Sequence, residues 1–121
     1  MNKKSIASED SKLSAKGLIA LAYSHAMALH DSRTVEDKKI QLGFLNQTVN
    51  EFIDSVELNI KNNVEKLTLF KEAHAMCMKI LWTEQNLYRG NKLLIKVAHG
   101  YTVILERRMK ETKKTKKEVV K

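Results

Sequence analysis

Apolar residues recur every three or four positions through most of this chain, a period that turns one face of an α-helix toward a core. Breaks in the rhythm divide it into four helices. The first begins at Ser11 or Ser14, either able to cap it, and runs to His30. Ala15, Leu18, Ile19, Ala22, Tyr23, Ala26 and Leu29 share its inner face, where the alanines let a neighbour approach closely. The second opens on Thr34 as N-cap, with Glu36 and Asp37 in the first turn against the positive end of the helix dipole. Leu42, Leu45, Val49, Phe52 and Val56 form a narrow seam of alternating three- and four-residue steps, the spacing that packs knobs into holes.

Asn59, Asn62 and Asn63 punctuate next, with Asn62 or Asn63 able to cap the third helix, Val64 to Tyr88. Two apolar series interleave there: Leu67, Phe70, Cys77, Leu81 and Tyr88, then Leu69, Ala73, Met76, Ile80 and Leu87. At 100° per residue they cover roughly 200°, about twice the stripe an ordinary surface helix needs. Glu84 falls inside that arc; it reaches solvent or a Lys at the bundle end, or it meets a partner's donor in a groove. Gly90 and Asn91 end this helix and begin the fourth, in which Leu94, Val97, Tyr101, Ile104 and Leu105 face inward. Short connections make sequential helices antiparallel neighbours. The expected fold is all-α, an antiparallel up-down-up-down four-helix bundle over residues 1–109 with a basic C-terminal extension over 110–121 that is frayed or disordered.

Composition agrees: proline is absent and glycine occurs four times in 121 residues, which suits uninterrupted helices. One domain of this length buries roughly two-thirds of its unfolded surface without staples. The single Cys77 has no partner for a disulfide and fits a reducing cytoplasm. Met1 to Asp10 is polar, and no apolar run approaches the roughly 20 residues that span a bilayer. The expected setting is cytoplasmic, with no membrane span.

The formal charge of +8 sits mostly in the tail. Arg107, Arg108, Lys110, Lys113, Lys114, Lys116, Lys117 and Lys121 stand against Glu111 and Glu118, giving +6 and leaving +2 for everything before. The body therefore promises no broad basic face for phosphates. If the tail binds nucleic acid, it does so through Arg107, Arg108, Lys110, Lys113, Lys114, Lys116 and Lys117 without an aromatic residue to stack on bases; solvation is the simpler use of such a run.

Chemistry-bearing residues are few. His25-Ala26-Met27 and His74-Ala75-Met76-Cys77-Met78 carry residues soft enough to hold Cu(I), but residues two apart lie some 200° around a helix, so His74 and Met76 cannot chelate together and only Cys77 or Met78 shares a face with His74. Met and Cys at core spacing are filler far more often than ligands. Cys77 lies in an apolar series that would raise its pKa, the carboxylates lack Glu-x-x-His pairs, and the glycines form no phosphate loop. No catalytic residue, metal ligand or cofactor follows from the sequence. What remains is apolar side chains outside the inner faces: Ile40 and Phe44, Met78 and Trp82, Ile95 and Val103. The first four make two i, i+4 spots of the kind that recognises a helix in a groove, or that makes a homodimer face or extra core.

Parts of the chain resemble the bacterial flagellin export chaperone family. Ser14, Leu18 and Tyr23 stand at the spacing of that family's Ser-Pro-x-x-Leu-x-x-x-Leu-Tyr opening, and Leu81, Asn86, Leu93, Leu94 and Val97 are similar to its later pattern of a Leu, an Asn, a short polar break and a final amphipathic helix. The resemblance covers Ser14 to Met109. It implies a cytosolic helical bundle whose outer apolar grooves hold a helix-forming, export-destined protein segment. Ala15 stands where the family has Pro, Arg108 where a Trp is common, and the family's early aromatic-rich segment is missing. The expectation is thus a non-catalytic, chaperone- or adaptor-like bundle that captures an amphipathic protein segment. The alternatives are a nucleic-acid-associated helical protein acting through its tail and a structural homo-oligomer.

Overall fold

The computed structural model describes residues 14–87 and 90–120, with side chains through residue 113. Ser11, Tyr88 and Lys121, and the side chains of Lys114, Lys116 and Lys117, lie outside the described residues. Four helices account for nearly all of the described chain, and no strand occurs among those residues: α1, Ala15–Asp31; α2, Val35–Asn59; α3, Asn63–Gln85; and α4, Lys92–Val120. Each start is set by a side chain that takes up an orphan amide of the first turn. Ser14 Oγ accepts from the Gly17 N–H at 3.1 Å, Thr34 Oγ1 from Asp37, Asn62 Oδ1 from Glu65 and Asn91 Oδ1 from Leu94, each of the last three at 3.0 Å.

The helices pack as a bundle. α3 lies most extensively on α4, and α1 on α2; α1 touches α3 more lightly, and α2 barely touches α3 although only three residues connect them. Close packing of every sequential pair therefore holds for two of the three pairs. Along the α2–α4 side the link is made by long side chains: the Tyr101 hydroxyl donates to Asn46 Oδ1, and Arg108 reaches Glu57 at 3.4 Å.

All four helices contribute to one core, whose largest fully enclosed members are Phe70, Leu29, Leu94, Leu105 and Val56. Phe52 meets Phe70 edge to face with centroids 6.1 Å apart, a favoured aromatic geometry. Ala15, Ala22 and Ala26 are buried as expected, and their small size brings α1 close to its neighbours.

Several inner-face expectations change. Tyr23, Leu87 and Ile104 are exposed; α3 stops at Gln85, so Leu87 falls past its end, and Tyr23 and Ile104 lie at the edge of their buried stripes. Ile53, Ala98, Thr48 and Thr102, outside the expected faces, are buried instead. A buried threonine needs a partner, and each hydroxyl finds one on its own helix: Thr48 donates to the Phe44 carbonyl and Thr102 to the His99 carbonyl. At the other end α4 continues through the basic stretch to Val120, with Met109 packed on the core and Thr112 buried.

Candidate functional site

The wide apolar arc of α3 is consumed inside the molecule. Leu69, Phe70, Ala73, Cys77, Ile80 and Leu81 are all buried, shared between the contacts with α1 and the longer one with α4. A helix covered from two sides needs a wider stripe than one lying on a surface, so the arc reports position in the bundle and leaves no groove of its own. Cys77 lines a small apolar void at the centre with Leu18, Ala22, Val49, Phe52 and Leu105, and burial pushes its thiol up to about 12. A thiol held protonated in that setting is a poor nucleophile. Tyr101 is raised as well, by burial first and by Cys77 second.

Glu84 departs from both sequence expectations. It is 2% exposed, and its partners are in its own chain: Oε1 accepts the Asn91 N–H at 2.9 Å, and His30 Nδ1 lies 2.9 Å from Oε2. Asn91 also donates through Nδ2 to the Leu29 carbonyl at 3.1 Å while capping α4. One carboxylate and one amide thus tie the end of α1, the end of α3 and the start of α4 together. Gly90 belongs to this knot, since a Cβ there would run into the Glu84 carbonyl oxygen. Satisfying every donor and acceptor is what makes a buried carboxylate tolerable. The sequence marked only the break at Gly90 and Asn91; Glu84 and His30 are 54 residues apart, and no local signal pairs them.

The histidines of the soft-ligand segments face elsewhere. His25 Nδ1 lies 3.3 Å from Gln41 Oε1, with its ring 5.3 Å from that of Phe44, and His74 Nε2 lies 2.9 Å from Glu106 Oε2. Among the described residues no group of three His, Cys, Asp or Glu side chains is placed to hold a metal, and no helix is long and apolar enough to cross a membrane.

The six apolar candidates fall on different parts of the bundle. Ile40 and Phe44 are exposed on α2, Phe44 leaning on His25 of α1. Trp82, 67% exposed, and Met78, 44% exposed, project from α3 away from its buried face. Val103 is exposed on α4, whereas Ile95 is half-buried against the core and belongs to its margin, a correction to its expected role. The structure gathers Met78, Trp82 and Val103 on the α3–α4 pair and leaves Ile40 and Phe44 on the α1–α2 pair.

Among the basic candidates, Arg107, Lys110 and Lys113 are exposed, and Arg108 is engaged by Glu57 at 3.4 Å and Glu111 at 3.7 Å. Positive charge is not confined to the tail, however. Lys92 and Lys96 are exposed on α4 and align with Arg107 and Lys110 at four- and three-residue steps. The net charge of the body hid this because Glu36, Asp37, Glu51 and Asp54 offset it from α2. The fold and surface together define an all-helical bundle whose described residues show apolar side chains and charge on the outside. No protein-family model, curated protein or solved structure matches the chain.

Proposed function

We propose that this protein is a non-catalytic, chaperone- or adaptor-like binding module that captures an amphipathic protein segment on the outer face of α3 and α4. The observation that carries this reading is the exposed i, i+4 pair Met78 and Trp82, which stands outside the buried arc and is not among the residues that pack on the core. Large flexible and aromatic side chains in that position are what helix-in-groove recognition uses. The path we propose for the chain is the antiparallel up-down-up-down course, each short connection reversing direction. On that course the His74–Glu106 contact sets the register of α3 against α4 and brings Met78 level with Val103. The three side chains then form one spot. The buried free thiol of Cys77 suits a reducing, cytoplasmic setting.

The test is selection of a displayed library of amphipathic helices, about 18 residues long to give five turns, on the full chain with a Met78→Ala/Trp82→Ala chain as counter-target. Trp82 is the only tryptophan, so its emission reports docking directly. Peptides should enrich on the native chain and shift that emission to the blue. Equal enrichment on the double variant, with unchanged helical circular dichroism, would remove the assignment.

A further inference from the structure

We propose that the segment docked on the α3–α4 face is acidic, an amphipathic helix whose apolar positions meet Met78 and Trp82 and whose carboxylates meet a cationic band along α4. The inference rests on the docking reading above and adds the partner's charge to it.

Lys92, Lys96, His99, Val103, Arg107 and Lys110 follow one another at steps of four, three, four, four and three residues, and all are exposed. Such steps hold side chains within a band roughly 80° wide and about 27 Å long. It lies opposite the stripe that Leu94, Ala98, Tyr101 and Leu105 bury. α3 adds exposed Lys71 on the side that bears Met78 and Trp82, whereas Lys79 lines the cleft toward Tyr23, Met27 and His30 of α1. The acids of the described part of α4 stand outside the band: Glu106 at one edge lies 2.9 Å from His74, and Glu111 at the other lies 3.7 Å from Arg108. Cations repeated along one helix face repel one another, and carboxylates brought by a partner relieve that repulsion.

Two features favour a protein helix over nucleic acid. A second α-helix laid along α4 presents its own side chains at three- and four-residue steps, so opposite charges stay in register over the whole band. Val103 in the middle of the band and Met78 beside it offer apolar contacts that a phosphodiester backbone cannot use.

The library selection distinguishes the parts. Peptides enriched on the full chain should carry Asp and Glu flanking their apolar stripe. Their affinity should fall about tenfold as salt rises from about 50 to about 300 mM, and about tenfold in Lys96→Glu/Arg107→Glu, with the helical signal intact. A chain ending at residue 113 should bind equally well, since the band precedes that point. Enriched peptides without acidic preference, unmoved by the double substitution, overturn the charge inference and leave the docking reading standing. Loss of all Trp82-dependent enrichment removes both. A short DNA duplex is titrated in parallel; duplex binding that disappears in Lys96→Glu/Arg107→Glu while acidic peptides bind as before overturns the proposal in favour of a phosphate partner.

Discussion

The two helix pairs of this bundle share one core but differ in charge and in how they are closed. Helices α1 and α2 hold three basic residues against six acidic ones, whereas α3 and α4 hold twelve against six. Within the first pair closeness comes from size: alanines on α1 let it approach its neighbours, and the link through Ser32 to Thr34 is built from a C-cap and an N-cap. The second pair is closed by chemistry, since Glu84 and Asn91 stitch the α3–α4 link to α1. Net charge summed along a chain averages over surfaces that face different ways, so a body near neutrality can still present one cationic side and one acidic side.

Four measurements test the contrast. The largest effect belongs to the shared core: Phe70→Ala removes the ring that meets Phe52 and should cost about 3–5 kcal/mol in chemical denaturation, against under about 1 kcal/mol for exposed Phe44→Ala. Next comes the polar closure of the second pair. Glu84→Ala strands the Asn91 amide and should cost about 2–3 kcal/mol, while Glu84→Gln keeps an acceptor and should lose less; a neutral Glu84→Ala would show that size, not chemistry, closes both pairs.

Third is alkaline stability. The thiol of Cys77 rises from 9.0 to about 12 in the fold, so the native state keeps a proton that the unfolded chain releases. Its contribution is fully present below pH 9.0 and is lost as pH climbs toward about 12, at no more than about 1.4 kcal/mol per pH unit. Denaturation midpoints followed upward from pH 9.0 should therefore fall less steeply in Cys77→Ala than in the native chain. The smallest effect is expected at the surface: Trp82→Ala should change stability by less than about 0.5 kcal/mol, and a larger loss would mean that Trp82 serves the core and not a partner.

Local signals carried much of the fold. Thr34 caps α2 as expected, and Ser14 and Asn62 prove to be the members of their expected pairs that cap α1 and α3, because capping needs only neighbours three residues away. The end of α3 was less legible, since Leu87 and Tyr88 prolong the apolar rhythm past Gln85 and the stop depends on where α4 must start. The site was harder still. Ile95 and Val103 look alike as outlying apolar residues, yet one packs on the core and the other stands in solvent, a difference set by which flank of α4 meets α3. The partners of Glu84 could not be read at all, because the contact with His30 exists only once α1 and α3 lie together.

The crowding at Gly90 has a practical consequence for anyone engineering this scaffold. With no room for a side chain against the Glu84 carbonyl, Gly90 is a position to leave untouched, and Gly90→Ala should destabilise the protein. The junction at Ile60–Asn62, which joins two helices that barely touch and has a cap that forms on its own, is the place to open the chain for circular permutation or to splice in a reporter.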